Sequence, residues 1–105
     1  MKVNAVLKAL SHPIRRDIVS RLRDGALTAG DLADAYDVSK PTMSTHFAAL
    51  KEADLVTAER DGNSIYYHLN VTVAEEALSA LMSVLGAGEE KKRRAHNRSR
   101  KEATI

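Results

Sequence analysis

No cysteine occurs among the 105 residues. That excludes disulfides, thiolate metal sites, iron–sulfur clusters and cysteine redox sensing together, and leaves the compartment open. No apolar stretch approaches the roughly 20 residues that span a bilayer. The first residues, Met1-Lys2-Val3-Asn4-Ala5-Val6, lack the apolar core of a signal peptide. A soluble, cytoplasmic protein without membrane insertion is expected. Catalytic signatures are missing as well: there is no phosphate-binding glycine loop, no nucleophile elbow and no carboxylate pair in a credible apolar setting. Neither an enzyme nor a cofactor is expected.

Metal-ligand spacing is also lacking. His12, His46, His68 and His96 are far apart in the chain, and none forms an H-x3-H or H-x2-[HE] pair on one helix. Glu75 and Glu76 are adjacent, so they lie on different faces of a helix. No metal site is expected, although one assembled across a dimer from separated residues stays open.

Excess positive charge is absent from most of the chain. From Glu89 onward seven Lys/Arg face three acids, a net +4, while the preceding residues carry nine bases and eleven acids, a net −2. Any basic footprint is therefore local, or belongs to the tail.

A hydrophobic content of 44% at this length gives one domain with a modest core, assigned to residues 1–88, followed by a basic tail at 89–105. Val3, Val6, Leu7 and Leu10 predict a first helix over roughly 3–10. Ser11 or His12 caps a second, with Pro13 in its first turn, Ile14, Ile18 and Leu22 as its stripe, and Gly25 at its end. Thr28-Ala29-Gly30-Asp31 resembles a capping box and opens a third helix that buries Leu32, Ala35 and Tyr36. Ser39 caps a fourth after a tight connection at Asp37-Val38, giving a helix-turn-helix. The period then changes to two: Leu55 to Arg60 and Ser64 to Leu69 read as a hairpin around Asp61-Gly62-Asn63. A final helix spans about 71–85. The fold class is mainly α with a small β-hairpin, a winged helix-turn-helix.

The fourth helix is the most informative element. Met43, Phe47 and Leu50 form its buried stripe, and Pro41, Ser44, Thr45 and Ala48 lie opposite. Short side chains let a second backbone approach, and hydroxyls meet phosphates or base edges, as the DNA major groove requires. Ser39, Lys40, Pro41, Thr42, Ser44 and Thr45 are the candidate DNA contacts, with Ser39 and Lys40 at the helix N-terminus, where unpaired N–H groups favour phosphate. His46 is placed on the flank and included, with a phosphate bond and a structural role both open. Arg60, Asn63 and Ser64 are the wing candidates, but Asp61 puts a negative charge at the tip, so a solvated wing stays open too. Arg15 and Arg16 read by default as solvated structural charges, with pairing of one to an acid such as Asp17 or Asp31, and contact of one with phosphate, left open.

The first and last helices carry wide apolar faces, Val3, Val6, Leu7 and Leu10 against Leu78, Leu81, Met82 and Leu85. A core of this size does not cover both. Pairing them across a two-fold would bury them and set two recognition helices about 34 Å apart, one DNA turn.

Four stretches resemble the ArsR/SmtB family of small bacterial transcriptional repressors over about Val3 to Leu85. They are Ala9-Leu10-Ser11-His12-Pro13-Ile14-Arg15-Arg16, Leu27 to Ala33, Val38 to Leu50, and Gly62-Asn63-Ser64-Ile65-Tyr66-Tyr67-His68-Leu69. The third is similar to the family's "V-S-[QK]-P-x-x-S-x-H-L" and the fourth to its "G-R-x-x-Y-Y-x-L". Thr28 to Ala33 and Val38 to Thr42 are closest to the cysteine-free SdpR-like autorepressors. The chain departs at Thr45, where the family often has a histidine, and at Asn63, where it has arginine. The resemblance implies a homodimeric repressor binding a double-stranded DNA operator, with the first and last helices as the dimer interface. It also implies two alternatives: a metal- or small-ligand-responsive sensor, and a winged-helix module controlled by a sequestering protein partner.

Overall fold

The structure is a computed structural model that describes residues 2–87. The basic tail expected at 89–105 lies outside the described residues. Helices α1 (Val3–Ala9) and α2 (Pro13–Leu22) lead into a short strand β1 (Leu27–Thr28). Helices α3 (Ala29–Asp34) and α4 (Lys40–Glu52) follow, then strands β2 (Val56–Asp61) and β3 (Ser64–Leu69), and helix α5 (Val71–Leu85).

Helices α2 to α5 each start where a side chain replaces a missing backbone partner. His12 Nδ1 accepts the Ile14 N–H at 3.2 Å, settling the choice between Ser11 and His12. Thr28 Oγ1 accepts from Asp31 N at 3.0 Å and Ser39 Oγ from Thr42 N at 3.3 Å. At the other end of α1, the Arg16 guanidinium donates to the Leu10 carbonyl at 2.8 Å, where a cation is favoured. Arg16 thus takes a carbonyl rather than an acid as its partner. Asp17 is taken instead by Arg21, at 2.8 Å, and by the Tyr36 hydroxyl, which donates to the same carboxylate oxygen. These bonds hold Asp17 below the usual carboxylate range, with Tyr36 the larger cause and Arg21 the next. Burial and then the Asp17 bond push Tyr36 up to about 12. The cluster ties α2 to the segment that follows α3.

β1 was not anticipated. Two residues are too few for a period of two to show, and Thr28 also serves as the α3 cap. β1 pairs antiparallel with β3 through Leu27↔Tyr67 and Thr28↔Tyr66, giving a three-stranded sheet of order β1-β3-β2. The wing register runs from Val56↔Leu69 to Asp61↔Ser64, leaving Gly62-Asn63 as a two-residue loop. Gly62 has φ +62 while Asn63 does not enter positive φ, the sign pattern of a type II′ turn. Helix α3 stops at Asp34, so Ala35 is exposed where burial was expected.

Ile18, Leu32, Leu50, Leu55 and Val6 are the largest fully buried side chains. They join α1, α2, α3, α4 and the start of the wing in one core. Phe47 stacks on Tyr67 with centroids 4.6 Å apart and planes 20° apart, an aromatic contact that joins α4 to the central strand.

α4 ends in a left-handed turn: Leu55 N bonds Leu50 O at 3.1 Å and Asp54 N bonds Lys51 O at 2.9 Å. Asp54 occupies the left-handed position, φ 59, that glycine ordinarily fills. Its carboxylate also sits at the negative end of the helix. Asp54→Gly is expected to raise stability by about 0.5–1 kcal/mol, the left-handed penalty partly offset by a more flexible unfolded chain. Denaturant midpoints of the two proteins check this; a lower midpoint for the glycine variant would show that the site carries no strain.

Candidate nucleic-acid interface

Helix α4 presents two opposite ridges. Met43, His46, Phe47 and Leu50, spaced i, i+3, i+4, i+7, are buried. Pro41, Ser44, Thr45 and Ala48 repeat the same spacing on the other side and are exposed, as are Ser39, Lys40 and Thr42. A helix so seated offers solvent a shallow face with its N-terminal turn at one end.

His46 departs from its expected position on the flank. It is 4% exposed, facing α2, and so is removed from the phosphate-contacting set. Arg15 Nε donates to its Nδ1 at 3.1 Å. The His12 ring stands 4.4 Å away, tilted by 51°. Nε2 is buried with no hydrogen-bond partner among the described residues. Burial first, then the positive potential of His12 and Arg15, hold His46 below the usual imidazole range. The signal was present in the sequence: His46 is i+3 from Met43 and four before Leu50, within the apolar stripe. A polar residue type concealed it. Arg15 has no acid partner among the described residues; it bonds this imidazole.

The N-terminal turn of α4 has fewer open backbone donors than expected. Pro41 has no N–H, the Thr42 N–H meets Ser39 Oγ, and the Met43 N–H meets Ser39 O at 3.0 Å. Ser39 Oγ and Thr42 Oγ1 also share a hydrogen bond of 2.9 Å. The groups left open at this end are chiefly the Lys40 side chain and the hydroxyls. Thr45 Oγ1 donates to the Pro41 carbonyl at 3.1 Å. Its hydrogen is directed back along the helix, so the side chain offers solvent a methyl group and an acceptor oxygen.

Arg60, Asn63 and Ser64 are exposed at the end of the wing. Arg60 pairs with Ile65 in the register and lies on the sheet face that carries Tyr67, whereas Asp61 and Ser64 share the other face. That second face also carries Glu59 and His68, with His68 Nε2 3.3 Å from the Glu59 carboxylate. The acid at the tip and Arg60 thus point apart.

Among the described residues, no group of three His, Cys, Asp or Glu could hold a metal ion. The fold does bring His12 and His46 together, but Arg15, a cation, is the third member of that group. No described helix is long and apolar enough to cross a membrane.

The expected dimer residues divide. Val6 is 1% exposed and belongs to the protomer's own core, which corrects its assignment to an interface. With Ala9 it forms the α1 ridge that faces inward, and α1 packs against α4. Val3 and Leu7 lie on the neighbouring ridge and are exposed, with Leu10 half-buried below them. On α5, Leu78, Met82 and Leu85 are exposed and Leu81 is half-buried. α1 and α5 are in contact.

A helix-turn-helix with an outward-facing second helix, flanked by a hairpin, defines a winged-helix DNA-binding protein. Comparison with known proteins narrows the class. A family described as "Helix-turn-helix domain" matches residues 10–59. The transcriptional repressor SdpR of Bacillus subtilis (strain 168) is 39% identical over 87 residues, 83% of this chain and 97% of the relative. The arsenical resistance operon repressor of Staphylococcus aureus is 35% identical over 76% of this chain and 77% of its own. The crystal structure of the transcriptional repressor BigR from Xylella fastidiosa superposes with a TM-score of 0.61 at 31% identity, covering 79% of this chain and 85% of that one. The chain belongs to the ArsR/SmtB family of DNA-binding transcriptional repressors, and within it is similar to SdpR.

Proposed function

We propose that the protein works as a cytoplasmic homodimer that lays the α4 helices of its two protomers in successive major grooves of a roughly palindromic operator. The observation that carries this reading is the exposed ridge Pro41/Ser44/Thr45/Ala48 on a helix whose opposite ridge is fully seated. Lys40, Ser39 and Thr42 hold phosphate at the helix start, and Ser44 and the Thr45 methyl meet base edges. Arg60, Asn63 and Ser64 reach the backbone beside them. Residues 1–88 form the unit that does this. The +4 segment at 89–105 adds phosphate attraction without sequence preference. Exposed Val3, Leu7, Leu78, Met82 and Leu85 support the dimer, since an apolar surface of this kind on a small protein marks an interface.

Lys40→Ala is expected to weaken binding to every duplex alike and to lower the salt slope by about one. Thr45→Ala is expected to relax the choice at one base pair by about 1 kcal/mol, the low end of a single mismatch. Titration of an operator, its single-base variants and random duplex across a salt series separates the two. Equal losses for Thr45→Ala on operator and random DNA would refute the base-reading role of that face.

A further inference from the structure

The seat of the recognition helix is a cluster of nitrogen bases and a cation with, among the described residues, no carboxylate bonded to it. Arg15 Nε is a donor, so the His46 Nδ1 it meets at 3.1 Å has to be an acceptor. The single ring proton of His46 then resides on Nε2, which is buried and unpartnered. His12 Nδ1 is likewise an acceptor, since the Ile14 N–H bonds it. A second proton on His46 would set donor against donor toward Arg15 and place two cations within hydrogen-bond distance.

We propose that protonation of His46 unseats α4 from α2 and releases DNA, so that the repressor lets go of its operator in mildly acidic solution. This rests on the DNA-binding reading above. Neutral His46 keeps the Arg15 bond, and α4 stays where its outer ridge faces the groove. Among the described residues, charged His46 has no local compensation. From α2 it faces Arg15, and from the α1–α2 junction it faces His12. The charge on the adjoining side of α1 is Lys8, which lines a groove with Arg15, Thr45 and Glu52. Glu52 is on α4 itself, nearly two turns along, and exposed. The strand packed on the end of α4 starts with buried, uncharged Val56. The imidazole is relieved only by separation from Arg15, which moves the helix that carries Ser44 and Thr45.

The sign distinguishes this switch from bulk electrostatics. Acidification makes a protein more positive and ordinarily tightens DNA binding. Here it loosens it. The neutral form is favoured in the seated state, so affinity is full above the ordinary imidazole value and declines as pH falls below it. A difference of one pKa unit between seated and unseated states is worth at most about tenfold.

The test uses the full chain and a duplex enriched by it from a random pool at about pH 7.5, with the dissociation constant followed down to about pH 5 at fixed ionic strength. Wild type is expected to weaken several-fold, approaching that limit. His46→Gln, which keeps an acceptor for Arg15 but does not titrate, is expected to show no loss. Arg15→Gln, which removes the facing charge and offers an amide oxygen that accepts from a protonated ring, is expected to lose most of the pH dependence, and it serves if His46→Gln does not fold. Without DNA, the amide resonances of α4 are expected to shift with the same midpoint as the His46 ring. Parallel pH profiles for wild type and His46→Gln would overturn the switch, as would α4 resonances that ignore the His46 titration. If no duplex is enriched at all, the DNA-binding reading falls, and the switch with it.

Discussion

Leu78→Glu combined with Met82→Glu is expected to convert a dimer into a folded monomer and to lower operator affinity by about a hundredfold or more. Both positions are exposed in the protomer, Leu78 at 59% and Met82 at 40%, on the outer ridge of α5. Their replacement leaves the protomer core, Val6, Leu50 and Leu55 among others, untouched. Surface changes of that kind ordinarily alter protomer stability by no more than about 0.5 kcal/mol. Across a two-fold, however, each glutamate would be desolvated twice, against apolar partners and without a cation. Loss of the dimer also removes the gain from binding two half-sites at once, which is worth about a hundredfold to ten-thousandfold. Light scattering after size exclusion measures the mass, and circular dichroism the fold. A double variant that remains dimeric would show that α1 and α5 are not the interface.

Leu50→Ala is expected to have the largest effect on stability, a loss of about 3 kcal/mol within the 2–5 kcal/mol range of buried leucine truncations. Leu50 is 0% exposed and sits in the core shared by all the helices and the base of the wing. Its backbone carbonyl also closes the turn that starts β2. A total stability of about 5–15 kcal/mol makes such a loss a large fraction. Below the melting point, DNA binding is expected to survive, because Leu50 is on the inward ridge. The contrast is with Thr45→Ala, where binding changes and stability hardly moves. Thermal melts at fixed protein concentration measure the first effect, since a dimer's midpoint depends on concentration. A midpoint shift no larger than that of a surface substitution would contradict the packing described here.

The legibility of the chain follows the length over which each signal is spread. Helices α2, α4 and α5 run for 10, 13 and 15 residues, long enough for a stripe to repeat and for Pro13, Pro41, Ser39 and Gly86 to mark their ends. The wing was legible because Ile65, Tyr67 and Leu69 alternate with Ser64, Tyr66 and His68 around a glycine loop. β1, with two residues, has no period. Its existence depends on the free edge of β3, to which it pairs. Val6 shows a second kind of limit. An apolar residue on a short helix reads the same whether it faces its own core or a partner, and only the position of α4 decides that it is inside.

The order of helices, the hairpin and the short-side-chain ridge of α4 were written in the sequence, because periodicity and turn chemistry act between residues a few positions apart. The partners of the polar groups that reach beyond their own helix were decided by the tertiary structure. His46 is buried by the apolar stripe it shares with Met43 and Leu50, but its bond to Arg15 spans 31 positions. Arg16 serves a carbonyl of the preceding helix, and Asp17 a tyrosine 19 residues on. Such pairings depend on which surfaces the core brings within about 3 Å, the reach of a hydrogen bond, and no local pattern records that distance.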